Sequence, residues 1–241
     1  MSFYERQFLL RSKDVDMYRR LRLSRLFELL QEAAITHTEE LGMGREKTLD
    51  KGLLWVVTMQ QAEILRMPEY DESITLRSWP GETMHVFFPR YYQLNDAAGH
   101  PLVKANALWM LVDEKTRRMI FPDRYGVVID GLVTGEELPL PSAPSRLPCT
   151  EEKAFTVPFS YVDLNGHMNN TRYFDLAEDV MPAELRARPL CRVQTEYSRE
   201  AILGTEITLK SERDADSFLL VGESEGLKLF KLAFTYASEQ N

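Results

Sequence analysis

The chain has 241 residues, enough for one large domain or two of about 120. With 44% hydrophobic and 27% charged residues it has the composition of a globular protein that buries a sizeable core. A formal net charge of −8 argues against bulk binding to nucleic acid through a general basic face, and two cysteines, Cys149 and Cys191, are too few for a disulfide framework and suit a reducing compartment.

The opening residues, MSFYERQFLLRSKDVD, are mixed and charged from the fifth position, so they do not read as a secretory signal. No run of 18 apolar residues follows anywhere, so no membrane contact is expected. The expectation is a cytoplasmic protein. From Met17 to about Gly42, apolar residues at Leu23, Leu26, Phe27, Leu30, Ala33, Ala34 and Leu41 recur at helical spacing, and Gly42 and Gly44 supply a stop. Strand-like stretches follow at 53–65, 73–79, 84–94 and 102–112, with a short piece ending near Phe121. Turn residues at 95–99 and 113–116 separate some of them.

From Pro122 to Thr150 the character changes. Pro139, Pro141, Pro144 and Pro148 crowd the segment VTGEELPLPSAPSRLP, which reads as a connector. Beyond it the earlier plan restarts, with a strand at 154–159, a helix from 169 to about 180, and strands at 191–199, 206–212, 218–223 and 228–236. DMYRRLRLSRLF (16–27) lies over DLNGHMNNTRYF (163–174), and ESITLRS (72–78) over TEITLKS (205–211). This indicates an internal duplication. The units are therefore placed at 1–124 and 151–241, joined by the connector 125–150. Each reads as a strand, a long helix and about four antiparallel strands. Such a helix satisfies a curved sheet by burying its apolar stripe in the concave face. The expected class is α+β, a hot-dog fold repeated in tandem.

The densest polar cluster is Val162-Asp163-Leu164-Asn165-Gly166-His167-Met168-Asn169-Asn170-Thr171-Arg172-Tyr173. Turn and capping chemistry explains much of it, since Asn-Gly favours turns and Asn169 or Asn170 can cap a helix. Nothing in that chemistry requires His167. A loop entering a helix also offers unpaired N–H groups, here around 167–171, to an oxygen that gains negative charge. The first unit has Tyr18, Arg19 and Arg20 at the positions of Asn165, Gly166 and His167, so the fold alone does not demand the polar set. At the end of a later strand stands Glu200, opposite Met67 of the first unit. Alone, it reads as a solvated charge.

DLNGHMNNTRY is similar to the D-x-N-x-H-x-N-N-x-x-Y signature of the acyl-acyl-carrier-protein thioesterases, and YSREA (197–201) resembles their Tyr-x-x-Glu-Cys segment. The likeness runs over nearly the whole chain. It implies hydrolysis of fatty acyl thioesters, with Asp163, Asn165, His167 and Glu200 as the catalytic set. It implies no metal and no cofactor, and an acyl carrier protein as partner. Where plant members have cysteine after the glutamate, this chain has Ala201, which argues against a covalent acyl-cysteine route and for a water activated by Glu200 and His167. Which carboxylate is the base, or whether one attacks directly, the sequence leaves open. Without the family's plastid-targeting extension, a bacterial source is expected.

The family places the acyl chain in the N-terminal unit, where Leu23, Phe27, Leu30, Trp55, Val57, Met59, Phe87 and Trp109 offer candidate walls. An acidic carrier needs a local basic face, for which Arg19, Arg20, Arg22, Arg25 and Arg172 are the candidates. Rival readings are a thioesterase using coenzyme A, a hot-dog dehydratase, and an acyl-binding sensor without catalysis. Two fused units can mimic the dimer that single units form, so both a monomer and a homodimer fit.

Overall fold

The computed structural model describes residues 3–129, 138–145 and 149–238; parts of the connector, Pro148 among them, lie outside these. Ten strands form one antiparallel sheet in the order β1-β3-β4-β5-β2-β7-β10-β9-β8-β6. The strands are β1 (Tyr4–Leu9), β2 (Leu53–Ile64), β3 (Ser73–Pro80), β4 (Phe87–Asn95) and β5 (Pro101–Asp113), then β6 (Glu151–Thr156), β7 (Leu190–Tyr197), β8 (Glu206–Arg213), β9 (Ser217–Ser224) and β10 (Leu227–Tyr236). The second five repeat the first five in mirrored sheet order. Both halves meet at β2 and β7, where Gln61 pairs Gln194 and Glu63 pairs Arg192. Each half wraps a helix, α1 (Leu23–Glu40) or α2 (Arg172–Val180). This is the expected double hot-dog fold.

The repeat extends to individual hydrogen bonds. Val15 bridges Leu21 as Val162 bridges Met168, and Arg20 bridges Glu69 as His167 bridges Ile202. The Leu102 carbonyl accepts from the N–H groups of Leu65 and Arg66, and the Leu229 carbonyl does the same for Ser198 and Arg199. Two amides sharing one carbonyl end β2 and β7 alike.

The helix bounds differ from the sequence reading. Residues 17–22 form a turn rather than the start of α1, because the Asp16 carboxylate accepts from Tyr18 N and Arg20 N and Arg19 sits at φ +65°. Likewise α2 begins at Arg172, since Asn169 Oδ1 accepts from the Thr171 backbone and hydroxyl. A short helix, α3 (Ala183–Ala187), was not foreseen. The piece ending near Phe121 makes only a bridge, Met119 to Val112.

One core runs through both halves. The ring of Phe27 on α1 stacks on Phe174 of α2 with centroids 4.0 Å apart, and both are fully buried among leucines of the two helices and sheet residues such as Leu76, Val193 and Leu232. A segment of the connector ties the sheet together by its carbonyls and Ser142. Asn106 of β5 donates to Pro139 O, Gln194 of β7 to Ser142 O, and Lys231 of β10 to Pro144 O. These bonds give polar side chains at the centre of the sheet backbone acceptors.

Candidate active site

The loop 162–168 is shaped by Asp163. Its carboxylate accepts from Asn165 N at 2.8 Å, its N–H donates to His167 O, and its carbonyl accepts from Gly166 N. Gly166 lies at φ +79°, a conformation that glycine adopts without steric cost. The loop is then bound to the end of β7 by Met168 N donating to Ala201 O at 2.7 Å and by the His167–Ile202 bridge. Glu200 precedes those anchors by one and two residues. His167 and Glu200 are thus brought together by backbone bonds on either side of them.

The His167 Nε2 lies 3.3 Å from Glu200 Oε2, with the imidazole 18% and the carboxylate 38% exposed. Arg117 completes a triangle. Its Nη1 is 3.4 Å from Glu200 Oε1 and its Nη2 3.3 Å from His167 Nε2. The sequence reading missed this residue, because its turn after β5 belongs to the first half and only the β2–β7 junction brings it here. The TRR triplet at 116–118 carried no signal by itself. Behind the triangle, burial first and then the carboxylates of Glu200 and Asp163 push the Tyr173 phenol well above its usual range. Tyr197 donates to Asn170 O and is likewise raised, chiefly by burial.

Two cavities meet here. The first, about 1280 Å³, is bordered by Asp163, Asn165, His167, Tyr173, Tyr197 and Glu200, with residues of β6 and β8. The second, about 390 Å³, lies under α1 among Leu53, Trp55, Phe88, Pro89 and Trp109 and also reaches Asn165, His167 and Glu200. Arg117 borders both. A mainly apolar cavity therefore opens beside the polar cluster, and a larger one of mixed polar and apolar lining lies on its other side.

The candidate residues are placed as follows. Asn165, His167 and Glu200 gather at the junction of the cavities, while Asp163 borders the first and braces the loop. Of the helix-start amides, Met168 N, Asn169 N and Thr171 N bind Ala201 O, Tyr161 O and Asn169 Oδ1. That narrows the N–H groups expected for an oxyanion from 167–171 to those of His167 and Asn170, beside the exposed Asn165 side chain. Trp55 borders both cavities, Val57 the first and Trp109 the second. Leu23, Phe27 and Leu30 are core residues facing the other helix and the sheet, and neither they nor Met59 and Phe87 line these two cavities. Cys149 and Cys191 line neither, and Ala201 is buried in the core.

Of the arginines considered for docking, Arg20, Arg22, Arg25 and Arg172 border a third cavity together with Asp16, Asp175, Glu178 and Asp179. It shares no residue with the other two. Arg25 pairs Asp14 and Glu28, Arg172 pairs Asp175, and Arg20 pairs Asp16 while donating to the carbonyls of Arg186 and Arg188. Arg19 is exposed. This is a mixed-charge surface at the first half's counterpart of the loop 162–168. Among the described residues, no group of three or more His, Cys, Asp or Glu side chains could hold a metal, and no helix is long and apolar enough to cross a membrane.

Residues 1–122 match the model of the acyl-ACP thioesterase N-terminal domain, and residues 145–235 that of its C-terminal domain. The chain belongs to the acyl-ACP thioesterase family. Among similar members are a palmitoyl-acyl carrier protein thioesterase of Cuphea hookeriana, 24% identical over 86% of this chain and 54% of its own length, and an acyl-[acyl-carrier-protein] hydrolase of Cuphea viscosissima, 27% identical over 82% and 52%. The chain thus spans about half the length of these chloroplastic relatives. Similar solved structures are an acyl-ACP thioesterase from Bacteroides thetaiotaomicron (TM-score 0.85, 22% identity, 98% of both chains) and the 12:0-ACP thioesterase from Umbellularia californica (TM-score 0.83, 18% identity, 98% of both chains). Both share the double hot-dog fold described above.

Proposed function

We propose that this family member hydrolyses fatty acyl-acyl-carrier-protein thioesters to free fatty acid and carrier protein. The observation that carries the reading is the meeting of Asn165, His167 and Glu200 at the mouth of an apolar cavity large enough to be a ligand pocket. The acyl chain would lie under α1 against Trp55, Phe88 and Trp109. The pantetheine arm, with its amides, hydroxyl and methyl groups, suits the larger cavity of mixed lining. That placement assigns the acyl chain to the N-terminal unit, residues 1–124, and most of the chemistry to the C-terminal unit, 151–241.

Glu200 and His167 would take a proton from a water whose oxygen attacks the thioester carbonyl carbon. The Asn165 amide would donate to the oxygen as it gains charge. Collapse breaks the C–S bond, the sulfur leaves with its electron pair, and the proton passes to it. Asp163 holds the loop in which Asn165 and His167 sit. No cysteine reaches the site, so water supplies the oxygen of the product acid.

The test is release of free fatty acid from a panel of C8 to C18 acyl-carrier-protein thioesters and the matched acyl-CoA esters. The expected result is hydrolysis by the native chain and a loss of ~10²–10⁴-fold in kcat for His167→Ala and for Glu200→Ala. Full retention in both variants would overturn the assignment. A clear preference for the CoA esters would move the carrier to coenzyme A, and absence of hydrolysis with tight acyl binding would favour a sensor.

A further inference from the structure

Arg117 is held in place before it touches the site. The Asp113 carboxylate accepts from the N–H groups of Lys115 and Thr116 and from the Thr116 hydroxyl, and Arg117 N donates to Asp113 O at 2.9 Å. This turn puts Arg117 at φ +56°, a left-handed conformation that costs a residue with a Cβ roughly 1–2 kcal/mol. Strained backbone of this kind persists where surrounding structure enforces it, and such positions concentrate at functional sites. The side chain crosses from the first half of the sheet to Glu200 at 3.4 Å and His167 at 3.3 Å in the second.

We propose that Arg117 is a positioning residue that fixes the His167–Glu200 pair in its working geometry. This rests on the reading of the site as a thioester hydrolase. A guanidinium presents several donors in one rigid plane and accepts nothing. It can therefore hold Glu200 Oε1 with one nitrogen and His167 Nε2 with another, whereas the carboxylate and imidazole alone share a single long contact. Nε2 cannot accept from Arg117 and donate to Glu200 at once. Where it accepts, the ring carries its proton on Nδ1, and Glu200 Oε2 is left free to take a water proton. Misplacement of a catalytic pair by about 1 Å can cost ~10²-fold, so the contribution of such a clamp is measurable. It also explains why one site needs both halves of the sheet: the pair stands on the second half and the clamp on the first.

The experiment compares the full native chain with Arg117→Ala, Arg117→Lys and the neighbouring Arg118→Ala on the best acyl-carrier-protein ester of the panel. Expected for Arg117→Ala is a kcat lower by about 10–100-fold, with KM within about threefold and partial recovery in millimolar guanidinium. Arg117→Lys, which keeps the charge but not the planar fork, should fall between, and Arg118→Ala should match the native chain. In parallel, ¹⁵N NMR of the histidine rings, with His167 assigned by its loss in His167→Ala, should show a shift in the His167 ring signals of Arg117→Ala without any substrate. Native kcat in Arg117→Ala, or a loss with neither guanidinium recovery nor a change at His167, would overturn the proposal. If Arg117→Ala does not fold, Arg117→Lys carries the same comparison. Ring signals that respond in a native chain inactive on every ester would sink the hydrolase reading while upholding the clamp.

Discussion

Asp163 and His167 stand four residues apart in one loop and answer to different constraints. Asp16, the first-half counterpart of Asp163, makes the same bonds to the amide two residues on and through its own N–H. An aspartate here is thus what the turn needs in either half. At the His167 position the first half has Arg20, which fills the equivalent space by donating to the carbonyls of Arg186 and Arg188. At the Glu200 position it has Met67, packed against the core. The counterpart therefore carries a cation and a thioether in place of the imidazole and carboxylate, and the His–Glu pair occurs at one end of the molecule only. Beside that counterpart, burial first and then Asp175 and Asp16 push the Glu178 carboxyl up to about 7, against the opposing pull of Arg22 and Arg20. For an acid whose folded value is raised above its unfolded one, both states are protonated at low pH. Stability then falls as pH rises from the unfolded value near 4.5 through about 7. Glu178→Gln should accordingly raise Tm by about 2–4 °C at pH 8 and leave it nearly unchanged at pH 4, read by thermal melts at both. An equal gain at both pH values would contradict this account.

Helix α1 shows that an apolar stripe read correctly does not say what the stripe packs against. Helical spacing from Leu23 to Ala34 identified α1, and the family resemblance, by placing an acyl chain in the first unit, made Leu23, Phe27 and Leu30 candidates for its wall. Periodicity reports which face of a helix is buried, not whether that face meets another helix or a cavity. The Phe27 ring stacks on Phe174, while the cavity lies under the later turns of α1, bordered by Ala34, Ile35 and Thr38. Phe27→Ala should therefore lower stability by about 3–5 kcal/mol in denaturant unfolding and leave the chain-length profile of product acids unchanged. A shifted profile with little loss of stability would return Phe27 to the pocket wall.

For the whole molecule, the decisive feature is the pairing of β2 with β7. It merges two five-stranded halves into one sheet, buries edges that each half would otherwise expose, and shares one core across α1 and α2. The connector reinforces this by bonding to strands of both halves. Calorimetry should show a single unfolding transition whose calorimetric and van't Hoff enthalpies agree. Two separate transitions would mean that the halves unfold independently.

Local chemistry was enough to identify the repeat, the strands, α1 and the loop 163–168, because alternation, helical spacing and turn residues act over a few residues at a time. The same locality hid Arg117 and the binding of Met168 N by Ala201 O, since each depends on partners far along the chain. The later start of each helix rests on local bonds to Asp16 and Asn169 that helical spacing does not report. Glu200, by residue type alone a solvated strand-end charge, entered the candidate set only through the family resemblance of YSREA, and the Met168–Ala201 bond is what holds it beside His167. Sequence alone determined which residues could do the chemistry. Their number at one point, and the cavity they open onto, were decided when long-range strand pairing closed the sheet.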